Sequence, residues 1–476
     1  MTKGKTRRSF IKKMALSSSI IPSFPYLISD NYTQKLTLDR SYEFENFTSN
    51  DQINIALIGC GIQGIINTNV ALQVPGVKLI AVCDLYNGRL DRAKELWGKD
   101  LFVSRDYRLI LNRTDVDAVI VATPDHWHRR ITIDSMESGK AVYCEKPMIQ
   151  NFNEGHDIIK TYNKTGKVCQ IGSQTMSSLG NEKAKELYED GAIGEIVMLD
   201  MFNDRNSIEG AWQYPIPPDA DQKSIDFDFF LGDTPKVPYD LKRFFRWRNY
   251  QDYGTGVAGD MFVHAFSSLN YIISSNGPKR ALSTGGLRYW KDGRNVPDIN
   301  ICLYDYPKTK NHEAFNASLR VNFISGSGGG SGFKLIGTEG AMEVSSNYCK
   351  LIRSKKGEIP SNYSLSAFTE KIQKKIKKSY TKKKNENKVK PKNYGESLWE
   401  APSNYKGGHY DHFYNFFQAI RGNGKIIQNP TFGLRAAGAA LLANKSYFEK
   451  KVIKWNPESM ITVSYTHLTL PTNREV

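Results

Sequence analysis

"INIALIGCGIQG", residues 53–64, decides the fold. Ile53 to Ile58 is an almost unbroken apolar run, as a strand buried on both faces of a sheet requires. It ends in Gly59-Cys60-Gly61-Ile62-Gln63-Gly64, a GxGxxG turn, and a helical stretch continues to about Val74. A second apolar run, "VKLIAVCD" at 77–84, ends in Asp84, twenty residues beyond Gly64. A lone GxGxxG is weak. Preceded by a strand, opening a helix and followed by a strand-terminal acid, it predicts a dinucleotide-binding turn. Gly59, Gly61, Ile62, Gln63 and Gly64 are then cofactor contacts. The glycines let the backbone approach a pyrophosphate, and the helix N-terminus supplies amide donors. Asp84 would accept hydrogen bonds from the adenosine ribose and repel a 2′-phosphate, favouring NAD over NADP. The bland alternative is a glycine-rich turn with no ligand.

Outward from this turn, "DAVIVAT" from Asp117, "AVYCEKP" from Ala141 and "VCQIGS" from Val168 read as further strands. Helical patterns such as "HRRITIDSMESG" and "EGHDIIKTYNKTG" separate them. This alternation predicts a right-handed parallel α/β sheet, a Rossmann domain over residues 52–172. After about Ser173 the order changes. Strands "EIVMLDMF", "INICLYDY", "FNASLRVNF", "GFKLIG" and "AMEVSS" imply a large, open, mostly antiparallel sheet in an α+β domain over 173–462. Helices are expected near Asp260–Tyr271, His409–Ile420 and Thr431–Phe448. No internal repeat is visible.

The 476 residues carry a formal charge of +16, but its location excludes a nucleic-acid face. Residues 1–13 hold +6 and residues 353–392 hold +11, so the rest of the chain is near neutral at −1. The basic segment around "KIQKKIKKSYTKKKNENKVKPK" from Lys371 is expected to be a solvated insertion or flexible loop. Attraction to an anionic membrane surface or acidic glycan is its functional alternative. The six cysteines, Cys60, Cys83, Cys144, Cys169, Cys302 and Cys349, form no CxxC, and no zinc or iron–sulfur spacing occurs. No metal site is expected.

The two ends read differently from the body. Arg7-Arg8, followed by Ser9, Phe10, Ile11, Lys12 and a short apolar run to Ile21, resembles a twin-arginine export signal. That run is too short to span a bilayer of ~30 Å, so no integral membrane span is expected. Residues 1–30 are read as the signal and 31–51 as a linker. The protein is therefore expected to be exported, periplasmic or membrane-associated on the periplasmic side. The last fourteen residues, "VSYTHLTLPTNREV" at 463–476, resemble translated sequencing-adapter read-through. They are read as a non-native tail, with the natural C-terminus missing.

Two further motifs carry a family resemblance. Thr123-Pro124-Asp125-His126-Trp127-His128 follows one strand, and Glu145-Lys146-Pro147 ends the next. With the glycine turn they resemble the Gfo/Idh/MocA oxidoreductases, the family of glucose–fructose oxidoreductase and inositol dehydrogenase. The match runs in order from Asn54 to Pro457 and includes "GTEGAMEV" at Gly337 and "LLANKSYF" at Leu441. The resemblance implies that Lys146 holds the substrate hydroxyl beside the nicotinamide. Thr123, Pro124, Trp127, His128, Glu145 and Gln174 join the cofactor-binding set; for Trp127 a packing role is the alternative. It also implies a homo-oligomer, a dimer or tetramer, paired through the open sheet.

In "GDMFVHAFSSLNY", Asp260 and His264 lie four apart and share one helical face. A carboxylate can orient an imidazole, whose ordinary pKa of ~6.5 suits proton transfer near neutral pH. The pair matches the family's Asp-x-x-x-His, which acts there with the lysine; the structural alternative is an N-cap and a core histidine. Arg205, Arg246, Trp247 and Tyr253 are candidate sugar contacts. The expected function is an NAD-dependent oxidoreductase acting on a sugar, sugar derivative or glycoside. One alternative is an NAD-dependent glycosidase working by transient oxidation, elimination and re-reduction. Another is a non-catalytic sugar-binding protein on a Rossmann frame.

Overall fold

The computed structural model describes residues 32–40, 42, 51–354, 359–386 and 394–463. The export-signal reading and residues 464–476 of the tail lie outside the described residues.

The first strand, β1 (Tyr32–Thr37), belongs to the second domain. The predicted α/β alternation then builds β2 (Ile53–Ile58), β3 (Val77–Cys83), β4 (Phe102–Ser104), β5 (Ala118–Val121), β6 (Ala141–Glu145) and β7 (Cys169–Gly172). These form a parallel six-stranded sheet in the order β4-β3-β2-β5-β6-β7. Every residue of β5 and β6 is buried, as their continuous apolar sequence requires. Helix α1 (Ile62–Ala71) follows β2, and α2 (Asp125–Glu137) follows β5.

The second domain adds β8 (Ile196–Asp204), β9 (Arg280–Gly286), β10 (Ile299–Tyr306), β11 (Phe315–Asn322), β12 (Gly330–Gly337), β13 (Ala341–Val344), β14 (Tyr348–Arg353), β15 (Gly395–Glu400), β16 (Ile453–Asn456) and β17 (Ile461–Val463). They join β1 in an 11-stranded sheet ordered β1-β15-β14-β13-β12-β8-β11-β10-β9-β16-β17. The β1–β15 and β8–β11 pairs are parallel and the others antiparallel. Strand β10 alternates strictly along its centre: Cys302, Tyr304 and Tyr306 are buried, whereas Ile301 and Leu303 face outward. Helices α3 (Gly256–Ile273), α4 (Glu370–Glu386), α5 (Gly408–Arg421) and α6 (Pro430–Glu449) complete the elements needed below. The long apolar helix α3 is buried over most of its surface.

Three boundaries differ from the sequence reading. The segment expected as a linker supplies the edge strand β1, and Arg40 and Tyr42 bind Asp411 at 3.1 and 2.7 Å. Helix α5, placed in the second domain by sequence order, packs on the Rossmann side, where Phe413 stacks on Tyr143 at 4.2 Å. Part of the basic segment is helical, as α4, rather than a loop. The six cysteines are buried and free.

Candidate active site

The glycine turn is built by close approach. Gly59 sits at φ +96°, and a Cβ there would meet the Ala122 carbonyl group at 2.6 Å. A Cβ on Gly64 would meet the Gly59 carbonyl oxygen at 2.0 Å, so α1 can pack onto the turn only without a side chain. At Gly61 such a Cβ would meet only the flexible Arg89 guanidinium, at 3.8 Å, an ordinary contact, so that side chain lies over the turn's outer face. Helix α1 has no side-chain cap and no acid in its first turn, so its leading amides and dipole face that turn unopposed. This is the cradle a pyrophosphate fits.

Asp84 follows β3. Its Oδ2 accepts from the Cys60 amide at 2.8 Å, and its Oδ1 from the Tyr86 amide at 3.0 Å. Oδ1 retains a lone pair for a ribose hydroxyl. Arg89, which the sequence reading did not single out, stands 3.5 Å from Oδ2 and over the rings of Phe244 and Phe245.

Glu145, at the end of β6, is a buried hub rather than an open contact. Its Oε1 accepts from Gln174 at 2.7 Å, Asn67 at 2.9 Å and Gln63 at 3.3 Å. Burial raises its carboxyl above the ordinary range, against the opposing pull of Lys146 and Asn67. Asn67 also meets His409 of α5 at 2.9 Å. Asn67 was legible as the residue one turn after Gln63; His409 arrives from the far end of the chain. Thr123, two residues beyond β5, has a buried Oγ1 with no partner among the described residues. Pro124 caps α2.

Two expected cofactor contacts lie elsewhere. Trp127 stacks on Phe229 at 5.3 Å and donates to the Phe230 carbonyl at 2.9 Å. His128 is buried between the carbonyls of Pro147, at 2.7 Å, and Thr123, at 3.0 Å. Burial lowers its pKa, against the two carbonyls, which favour the protonated ring. His128 is buried in the loop, whereas Trp127 also lines a cleft with His126, Gln150 and Asp252.

Against this rim the second domain brings α3. Lys146 Nζ donates to Asp260 Oδ1 at 3.0 Å and to the Asp260 carbonyl at 3.1 Å. Arg248 lies 3.6 Å from the same Oδ1. Burial alone would raise the Asp260 carboxyl, but Lys146 and Arg248 outweigh it and hold the group well below the usual range. Asp260 therefore pairs with the lysine, not with His264 as the four-residue spacing suggested. His264 is partly exposed, while its Nδ1 is buried with no partner among the described residues. Burial, then Lys146 and Arg205, push its pKa down to about 3 despite Asp260, so the imidazole is neutral near pH 7. Asp125 accepts from the Thr255 amide and hydroxyl, each at 3.0 Å. Burial, with Asp260 nearby, raises its pKa to about 7.

The proposed sugar contacts divide. Arg205 donates to the Gly210 carbonyl at 2.9 Å and meets Met261 Sδ on α3 at 3.1 Å. Trp247 carries the Arg248 guanidinium 4.2 Å above its ring. Arg246 is committed to the Tyr214 carbonyl at 2.8 Å and to Gln213 at 2.5 Å. Tyr253 is fully buried in an aromatic cluster with Phe230, which makes it core rather than contact. Arg248 was missed, although it adjoins two residues that were singled out; no spacing marks it.

A parallel sheet with this turn, whose Lys146 meets a carboxylate and a histidine on a helix of the second domain, defines a dinucleotide-dependent oxidoreductase architecture. Comparison with known proteins agrees. The oxidoreductase family's NAD-binding Rossmann fold matches residues 53–173, and its C-terminal alpha/beta domain matches residues 207–280. Both matches are to models of the Gfo/Idh/MocA oxidoreductases, and they fall in order on the two domains.

Among curated relatives, an alpha-N-acetylgalactosaminidase of Shewanella oneidensis is 31% identical over 153 residues, covering 30% of this chain and 33% of the relative. A 2,7-anhydro-N-acetylneuraminate hydratase of Mediterraneibacter gnavus is 32% identical over 145 residues, covering 30% and 38%. The chain thus spans about a third of the length of these relatives. Among solved structures, a levoglucosan dehydrogenase in complex with NADH and levoglucosan aligns with a TM-score of 0.58 at 18% identity, covering 85% of this chain and 99% of the other. An oxidoreductase from Agrobacterium radiobacter in complex with NAD+, L-tartaric acid and magnesium aligns at 0.59 and 12% identity, covering 86% and 100%. At these identities the likeness is one of fold.

Proposed function

We propose that this chain is an exported, NAD-dependent oxidoreductase that moves hydride between a secondary hydroxyl of a sugar, sugar derivative or glycoside and a tightly held nicotinamide. The observation that carries this reading is the meeting of Lys146, at the carboxyl end of a Rossmann strand, with Asp260 of α3, one turn from a neutral His264.

NAD, when bound, supplies the hydride acceptor. The residues of the chain do the rest. Gly59, Gly61 and the leading amides of α1 hold the pyrophosphate, and Asp84 holds the ribose. Lys146, fixed by Asp260, donates to the substrate oxygen and steadies the negative charge that grows there. His264 takes the hydroxyl proton as the carbinol C–H breaks and C=O forms. Its neutrality keeps it ready as a base. Removal of the Asp84 carboxylate by Asp84→Ala should weaken NAD by about 1–3 kcal/mol, the scale of lost charged hydrogen bonds. Calorimetric titration checks this; a variant that binds NAD as the wild type does would remove Asp84 from the site.

A second reading keeps the same groups but makes the oxidation transient, so that a glycoside is cleaved with no net redox change. The glycosidase and hydratase names of the curated relatives favour it. Product analysis over a glycoside panel separates the two: a ketosugar or lactone marks net oxidation, a released aglycone with unchanged cofactor marks cleavage. A panel that is bound yet yields neither product, with cofactor in place, would leave the non-catalytic alternative.

Assembly as a dimer or tetramer is part of the proposal. The outward face of the second sheet leaves Leu282, Leu303, Ile301 and Val197 exposed, with Leu282 paired across strands to Leu303. Such a patch calls for cover. Light scattering at micromolar concentration should give a multiple of the chain mass; a monomer would count against it.

A further inference from the structure

We propose that α4 is an interfacial anchor that docks this chain on an anionic lipid surface. The helix spans Glu370–Glu386 in the connection between β14 and β15. Lys371, Lys374, Lys375, Lys377, Lys378 and Lys382 crowd its first three and a half turns, against one acid, Glu370, in the same stretch. Its sequence is too polar to be held by a core. All its described side chains through Lys382 are exposed except Gln373 and Ile376, which are half-buried.

The arrangement of the apolar residues points to lipid. Ile372, Ile376 and Tyr380 recur at i, i+4 spacing and so form one stripe. Phe368, just before the helix, extends the same series. Ile372 is 41% exposed, Tyr380 45% and Phe368 49%, with Ile376 between them half-buried, so close to half of the surface of these three side chains is left uncovered. At 100° per residue, every lysine from 371 to 382 falls on the flanks or the opposite side of the stripe. A helix with an apolar stripe and lysines around it lies in the plane of a membrane surface. There the stripe enters the headgroup boundary and the lysine stems let their ammonium groups reach phosphates. A nucleic acid or acidic polysaccharide would match the charge but leave Phe368, Ile372 and Tyr380 in water. No helix among the described residues is long and apolar enough to cross a membrane, so the contact would be peripheral.

The test uses the full chain and co-sedimentation with two kinds of vesicle, neutral phosphatidylcholine and phosphatidylcholine with roughly one-third phosphatidylglycerol. Binding is expected to the anionic vesicles at least about tenfold more strongly than to the neutral ones, and to fall steeply between about 0.1 and 0.5 M salt. Charge reversal at Lys374, Lys375, Lys377 and Lys378 to Glu should abolish it. The substitutions Ile372→Ser, Ile376→Ser and Tyr380→Ser together should weaken it roughly tenfold with the lysines intact. Retained cofactor and an unchanged circular dichroism spectrum show that each variant is folded. The inference is overturned if anionic vesicles do not bind, if neutral vesicles bind equally, or if charge reversal changes nothing. Retention on heparin or duplex DNA without vesicle binding would overturn it as well, and assign the helix to a polyanion.

Discussion

His264→Ala is expected to lower turnover by ~10²–10⁴-fold, the usual worth of a positioned general base. Cofactor retention should stay near the wild-type level, because the glycine turn and Asp84 lie in the other domain and make no contact with this ring. The sign of the pH effect follows from the environment. With its pKa down at about 3, His264 is unprotonated throughout the neutral range and loses its role only as pH falls toward that value. Asp260→Asn removes the one neighbouring charge that raises this pKa, so it should make the base weaker and move the acid limb lower still. Lys146→Met removes a charge that lowers it and should move the limb up. Single-turnover reduction of bound NAD, followed at its near-ultraviolet band against pH, reads all three. Wild-type rates for His264→Ala would make the helix pair structural.

The second large effect is expected at Lys146. Lys146→Met should cost turnover ~10²–10³-fold through the lost donor at the substrate oxygen, and should raise KM in parallel. It should also destabilise the fold, which a purely catalytic residue would not do. Its side chain and that of Asp260 are only 11% and 8% exposed, and the substitution leaves the carboxylate with Arg248 at 3.6 Å. Breaking such a buried pair costs about 3–5 kcal/mol. The pH sign is fixed by Asp260. A carboxyl depressed in the folded state contributes stability above its unfolded pKa of ~3.9, and that contribution is lost as pH falls below it. The deficit of Lys146→Met relative to wild type should therefore be large at pH 7 and shrink under acid conditions. Thermal melts at the two ends of that range check it, and Lys146→Met/Asp260→Asn should recover part of the loss.

The parts of the site that sequence revealed are those whose chemistry is local. The glycine turn is contiguous, Asp84 follows at fixed distance, Lys146 sits in a tripeptide, and Asp260 and His264 share a helical face. What escaped depends on residues that meet only in three dimensions. His409 reaches Asn67 across 342 positions, and Asp411 is tied to Arg40 and Tyr42 at the opposite end of the chain. The pairing of Lys146 with Asp260 across the domain junction could not be read from the four-residue spacing, which suggested Asp260 with His264. His128 and Tyr253 are buried where contacts were expected: an aromatic or imidazole side chain has the same letter whether it packs in a core or lines a cleft. In the sheet, β10 and β11 alternate clearly. The short strands β4, β16 and β17 offer too few residues for a period to show.

On the proposed function the turn after β2 holds a nicotinamide dinucleotide tightly enough to act as a resident group. Native mass spectrometry of the purified full chain, alone and with NAD or NADP added, tests it most directly. A mass increment of one NAD per chain is expected, retained through gel filtration and not displaced by equimolar NADP. No increment at millimolar NAD, or a clear preference for NADP, would contradict it.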